Sequence, residues 1–177
     1  MRLLPPRTPK VPADLRERLR IPRSENVIAW GSGQMTRPGE PSAFRGYLAA
    51  TDHAFYAEGP GERVAWDRIS RASWDQPVLE VVLEDEAGAV SGRLRLDVDQ
   101  SWNLPAAVHD RVTASVVVSE MIDLGDGVRA RMAARRANDH ADIRWTVVFD
   151  AGADPRDPQL QARARAALTD LRSSLGI

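Results

Sequence analysis

Between residues 27 and 98, short apolar segments alternate with turn residues at a spacing of roughly ten residues. The clearest segment is residues 93–98, RLRLDV, in which every second residue is apolar. This period of two places the apolar side chains on one face of a strand and the charged ones on the other. About seven segments of this kind follow one another, as is typical of an antiparallel sandwich or barrel.

The spacing of apolar residues changes after residue 102. Leu104, Val108 and Val112 recur every fourth residue and predict a single apolar stripe on a helix that continues to about Ser119. Asn103 precedes the stripe and suits the N-cap position. The sequence therefore predicts an α+β protein in which a seven-stranded antiparallel barrel or sandwich is capped by a helix.

A further change of period marks the C-terminal part. Alternating residues at 128–135 and 143–149 predict a β-hairpin, and a stripe of leucines and alanines predicts a final helix capped by Asp154 or Asp157. The chain is expected to comprise an N-terminal tail with a short helix at residues 1–26, a barrel with its capping helix at 27–120, and a ββα extension at 121–177.

The composition argues against several classes of function. The formal net charge is -1 over 177 residues, so no global field attracts nucleic acid or anionic lipid. Cysteine is absent, which excludes disulfides, thiolate nucleophiles and cysteine metal ligands. No apolar run approaches the roughly 18 residues of a membrane span, and the N-terminus lacks the apolar core of a signal peptide. We therefore expect a cytoplasmic protein without a membrane span.

The order of elements from about Val27 to Ser119 resembles the pleckstrin-homology-like (PH-like) plan, seven strands followed by one helix. The segments TDHAFYAEG and ERVAWDRISRASWD resemble the third and following strands of small bacterial PH-like domains. The lead-in KVPADLRERLRIP, the stretch HDRVTASVV and the tail from Val128 resemble a group of uncharacterised proteins from high-GC Gram-positive bacteria. This resemblance covers nearly the whole chain and implies a fold, but no chemistry.

The loop between the first two predicted strands departs from that of lipid-binding PH domains. In those domains a basic cluster in this loop holds inositol phosphates. Here the loop offers only Arg37 and Arg45, with Glu40 between them. Two separated arginines cannot surround a polyphosphate with charge-assisted donors, which argues against phosphoinositide as a partner.

No motif for catalysis, metal binding or cofactor binding stands out. His53, His109 and His140 lack the spacing of metal-ligand pairs, and no Gly-x-Ser-x-Gly elbow is present. The Gly-Ser-Gly run at 31–33 lacks the lysine of a phosphate loop and instead predicts a strand kink or bulge. Asp52 and His53 are adjacent in a predicted strand, where neighbouring side chains point to opposite faces, which argues against a catalytic pair. We assign no catalytic, metal or cofactor residue.

Arginines on the predicted C-terminal hairpin are the best candidates for a recognition surface. They are Arg129, Arg131, Arg135 and Arg136, with Arg144 on the strand opposite. Arg129, Arg131 and Arg135 share one side of their strand. Such a surface could bind phosphate or nucleic acid. The small net charge, and the absence of aromatic residues between these arginines, favour a solvated face over nucleic-acid binding.

These observations favour a non-enzymatic protein-interaction or adaptor module with an unknown protein partner, and self-association is left open. The first alternative is an anionic small-ligand-binding protein or an enzyme, with a site between barrel and extension that uses Arg129, Arg131 or Arg144. Nucleic-acid binding through the same arginines is a second and weaker alternative.

Overall fold

The computed structural model describes residues 10–36, 43–59, 62–85, 88–138 and 142–176. The predicted tail before residue 10, the loop that carries Arg37 and the turn at His140 lie outside these ranges. Seven strands form one antiparallel sheet: β1 (Val27–Thr36), β2 (Phe44–Thr51), β3 (Ala54–Ala57), β4 (Glu62–Ala65), β5 (Ile69–Asp75), β6 (Val78–Glu84) and β7 (Val90–Trp102). Their order is β4-β3-β2-β1-β7-β6-β5, and the sheet curls into a half-barrel. The predicted α+β architecture is confirmed.

The main core lies between this sheet and helix α2 (Leu104–Ala114). Leu104 and Val108 of α2 are fully buried and belong to one apolar cluster with Phe55 and Trp66. The indole of Trp66 also donates a hydrogen bond of 3.1 Å to the carbonyl of Thr51, which satisfies its one polar atom. The predicted packing of a helix on seven strands is therefore present.

The predicted bulge at residues 31–33 is confirmed. The register between β1 and β7 shifts between Ser32 and Gly33. A Cβ atom at Gly33 would overlap the carbonyl oxygen of Asp97 on β7. Glycine is needed here because the two backbones approach too closely for a side chain.

The prediction that α2 continues to about Ser119 is wrong. The helix ends at Ala114, and the next residues form β8 (Val116–Asp123). Residues 116–118 are three valines, and their β-branched side chains favour a strand, although their spacing also extends the helical stripe. Pairing with the following strand decides between the two structures.

The C-terminal part is a three-stranded sheet with a helix. It contains β8, β9 (Arg129–Arg135), β10 (Arg144–Phe149) and α3 (Pro158–Leu175), with the strands in the order β10-β9-β8. The expected ββα extension is therefore βββα, and the boundary predicted after residue 120 falls inside β8. Of the two predicted caps of α3, Asp157 is the one used: its carboxylate accepts a hydrogen bond of 2.8 Å from the backbone of Gln159.

A short N-terminal helix covers the other face of the larger sheet. Helix α1 (Leu15–Arg18) and the residues after it bury Leu15, Leu19 and Ile21 against Ala49 and Tyr56. A helix of four residues is stable only through such packing. Within the described ranges, no helix is both long and apolar enough to cross a membrane.

Candidate functional site

Three of the five arginines predicted as a recognition surface lie between the two sheets. Arg144 donates from Nε to the carboxylate of Asp67 at 3.1 Å. A nitrogen of Arg131 lies 3.5 Å from the carboxylate of Glu84. Arg135 donates to the hydroxyl of Ser115 and to the carbonyl of Ser70, at 3.0 and 3.1 Å. We call Arg131, Arg135, Arg144, Asp67 and Glu84 the arginine joint.

The arginine joint is largely withdrawn from water. Glu84 is 3% exposed and Arg135 is 5% exposed. Burial lowers the pKa of Arg135, although the nearby carboxylate of Glu84 opposes part of that shift. Arg129 is exposed and pairs with Asp150 at 3.1 Å. These four guanidinium groups thus have partners within the protein, and their role in recognition stays a prediction.

A polar cleft of about 400 Å³ lies beside the joint, between the larger sheet and the start of the smaller one. Four segments line it: the β2–β3 turn, the end of α2, the start of β8 and the residues that follow β9. The lining residues are Asp52, His53, Arg111, Ala114, Ser115, Val117, Arg136, Ala137 and Asn138. The cleft therefore combines two arginines, a histidine and a carboxylate.

Asp52 holds the imidazole of His53 in the wall of the polar cleft. Their Oδ1 and Nδ1 atoms are 2.8 Å apart. Asp52 also accepts hydrogen bonds of 2.9 and 3.0 Å from the backbone and side chain of Asn26. Burial alone would raise the pKa of Asp52, but the hydrogen bonds from His53 and Asn26 outweigh burial and lower it. Asp52 therefore stays ionised, and the Nε2 atom of His53 is left for a ligand.

The premise of the sequence argument against this pair is wrong. It assumed that Asp52 and His53 both lie in a strand, where adjacent side chains diverge. Strand β2 ends at Thr51 and β3 begins at Ala54, so the two residues form the turn between them. Adjacent side chains can meet in a turn because the backbone direction reverses there.

Arg111 and Arg136 give the polar cleft its charge. Among the described residues, neither guanidinium has a hydrogen-bond or ion-pair partner. The Nε atom of Arg136 is moreover buried without an acceptor. A buried donor without an acceptor costs about 1–3 kcal/mol, and more when it is charged. Such an atom is expected where a ligand supplies the missing acceptor.

Sequence reasoning placed Arg136 among the arginines of the recognition surface, but it did not find Arg111 as a site residue. Arg136 directly follows Arg135 in the sequence. Adjacent side chains of a strand point to opposite faces, so the sequence already indicated that Arg136 does not share the face of Arg135. Arg111 lies in the last turn of α2 and carries no sequence signal of its own. The fold alone brings the two together.

A possible metal cluster adjoins the cleft. Ligand atoms of Glu25, Asp52 and His53 lie within 4.8 Å of one another. The Oε2 atom of Glu25 accepts from Thr51 at 2.7 Å and from Tyr56 at 3.0 Å. Both carboxylates are thus already held by hydrogen-bond donors with which a cation would compete, and we interpret the cluster as an internal hydrogen-bond network.

A second surface feature is a groove of about 520 Å³ between β5 and α2, which we call the edge groove. Strand β5 is an edge of the larger sheet. Trp74 of β5 is 39% exposed beside the groove, and buried Leu79 contributes to its lining. His109 and Asp110 of α2 line the other side. Another chain can add a strand to an exposed sheet edge of this kind and place a side chain in the edge groove.

Comparisons of this chain with models of known protein families, with curated proteins and with solved structures give no match. The PH-like resemblance therefore stays an expectation that rests on the sequence segments quoted above. The site must be judged on its own geometry.

Proposed function

We propose that this protein binds a small anionic ligand in the polar cleft between its two sheets. The observation that carries the proposal is the pair Arg111 and Arg136, which face one cavity without a partner among the described residues. The buried Nε atom of Arg136 strengthens the argument, because it has no acceptor. A carboxylate or phosphate group would provide acceptors for both guanidiniums.

The distribution of charge supports this proposal. In the arginine joint, the negative charges of Asp67 and Glu84 offset part of the positive charge of the three guanidiniums. Among the described residues that line the polar cleft, the one carboxylate is Asp52, which is already held by Asn26 and His53. Positive charge in the cleft is thus left for a ligand, although the whole chain is close to neutral. The cavity volume of about 400 Å³ is within the range of small-molecule sites.

Isothermal titration calorimetry with phosphate, citrate and ATP tests the proposal. At least one of these anions should bind the parent protein saturably, and Arg136→Gln should weaken that binding roughly tenfold or more, because a charge-assisted hydrogen bond is lost. Arg95→Gln is the matched control, since Arg95 is an exposed arginine of β7 outside the cleft. Equal effects of the two substitutions, or no saturable binding by the parent, would contradict the proposal.

Protein interaction through the edge groove is a second candidate function. The specific observation in its favour is the exposed indole of Trp74 on an edge strand. An extended segment of a partner would pair with β5 and place an apolar side chain against Trp74 and Leu79.

Affinity capture with the tagged full chain tests this candidate. Proteins captured by the parent from the cells that naturally express it should be lost with Trp74→Ser. They should be retained with Val90→Ser, a control at an apolar residue that is more exposed and lies outside the groove. Capture that is unchanged by Trp74→Ser would refute this use of the edge groove.

A further inference from the structure

A groove of about 720 Å³ lies between α3 and β10 in the C-terminal part of the chain, and we call it the apolar groove. Val147 and Phe149 of β10 form one wall, and Ala164 and Leu168 of α3 form the other. Residues 150–155 close one end. It shares no lining residue with the polar cleft or the edge groove.

The groove exists because small residues occupy the facing side of the helix. Ala164 is buried against the sheet, and Ala167 lies less than one turn further along α3. A methyl group cannot fill the space that a leucine would occupy. As a result Val147, Phe149 and Leu168 are only partly buried, although they pack on the same core as Met132. Protein cores are normally filled, so an open apolar space of this size is suited to an apolar ligand.

Among the described residues that line the apolar groove, Arg165 is the one cation. The only described hydrogen bond of the Arg165 guanidinium is to the amide oxygen of Gln161, at 3.4 Å, and no described carboxylate pairs with it. The other charged lining residue, Asp150, is already paired with Arg129 at 3.1 Å. A ligand with an anionic head would find its counter-ion at Arg165, while its apolar body lies against Phe149 and Leu168.

We propose that the apolar groove binds an amphipathic carboxylate with a straight alkyl chain. The chain displaces water from Val147, Phe149, Ala164 and Leu168, and the carboxylate accepts hydrogen bonds from Arg165. This site is independent of the proposed anion site in the polar cleft. The two differ in ligand, since inorganic phosphate has no apolar part to fill this groove.

A series of carboxylates tests the proposal. Hexanoate, octanoate and decanoate are titrated into the full chain by calorimetry, below the concentrations at which they form micelles. Each added methylene should strengthen binding roughly threefold to fourfold while the groove has room for it. Decan-1-ol should bind more weakly than decanoate. The absence of saturable binding, or an affinity that does not change with chain length, would overturn the proposal.

Three substitutions locate the site. Ala164→Phe should occupy the groove and abolish decanoate binding. Ala162→Phe places the same ring on the exposed face of α3 and should leave binding intact. Ala164→Leu repeats the test with a smaller side chain, in case the phenyl ring prevents folding. Binding of decanoate to both folded Ala164 variants as tight as to the parent would place the ligand elsewhere and overturn the proposal.

A further substitution tests whether the charge of Arg165 contributes to carboxylate binding. Arg165→Gln should weaken decanoate roughly tenfold and leave decan-1-ol unchanged, because only the carboxylate uses the guanidinium. An equal loss for both ligands would contradict the assigned orientation. Binding in the polar cleft of whichever anion binds the parent there should not change in any of these variants, so failure here is distinguishable from failure of the proposed function.

Discussion

Glu25 shows how one buried carboxylate is stabilised by its neighbours. It is 5% exposed and accepts hydrogen bonds from Thr51, Tyr56 and Arg63. Burial alone would raise its pKa, but these hydrogen bonds and the charge of Arg63 outweigh burial and lower it below the ordinary value of 4.5. The ionised form is thus favoured by folding, and Glu25 stabilises the fold while it stays ionised.

We predict that Glu25→Gln lowers the free energy of unfolding by about 1–3 kcal/mol at pH 7, because Arg63 and Tyr56 lose a charged acceptor. A depressed pKa stabilises the fold above the unfolded-state pKa, and this contribution is lost as the pH falls through the folded-state pKa. The difference between parent and variant should therefore shrink below about pH 4.5. Urea unfolding between pH 3 and pH 7 measures it. A difference that stays constant over this range would refute the role given to Glu25.

The residue scale is where sequence reasoning was weakest. The sequence predicted that Arg131 and Arg135 share one side of a strand, but it did not identify the groups with which they pair. Arg135 donates to Ser70, 65 residues earlier in the chain, and that contact depends on how two sheets pack. The cleft arginine Arg111 was missed for the same reason, because its neighbours come from distant segments.

Elements with a clear local signal were predicted correctly. Leu94, Leu96 and Val98 of β7 are buried, as their alternation predicted, and Asp157 caps α3. Strand β8 was missed because its valines fit either period, and only pairing with β9 selects the strand. Local patterns identify an element when the spacing of apolar residues fits only a helix or only a strand. When the spacing fits both, pairing with other parts of the chain decides which one forms.

The bulge in β1 leads to a prediction at the same scale. Gly33→Ala should destabilise the protein by about 1–3 kcal/mol, because its Cβ would overlap the backbone of Asp97 and the β1–β7 ladder must shift. Gly92→Ala is the matched control: Gly92 lies in the paired strand β7, the nearest neighbour of its added Cβ atom would be a side-chain atom of Leu83 at 3.9 Å, and the alanine fits. Thermal unfolding followed by circular dichroism compares the two. Equal losses would show that the close backbone approach does not explain Gly33.

At the scale of the whole molecule, the arginine joint fixes the relative position of the two sheets. The joint brings charged and polar groups together, whereas the apolar cores of the two sheets are separate clusters. The polar cleft lies beside this joint and takes residues from both sheets, so its shape depends on how they pack. A ligand in the cleft and the contacts of the joint should therefore stabilise the same arrangement.

The joint gives a prediction for the whole fold. Glu84→Gln should reduce the free energy of unfolding by about 3 kcal/mol, because it leaves Arg131 and Arg144 facing a neutral group in a buried site. Arg129→Gln, in the exposed pair with Asp150, should cost less than about 1 kcal/mol. Urea denaturation monitored by tryptophan fluorescence measures both variants.

A double substitution separates the joint from a general effect of burial. Arg144 lies 3.6 Å from Glu84, so Glu84→Gln combined with Arg144→Gln should cost about 0.5–3 kcal/mol less than the sum of the single losses. The reason is that the second change removes a charge which the first has left without a partner. Additive losses would mean that Glu84 stabilises the fold without Arg144.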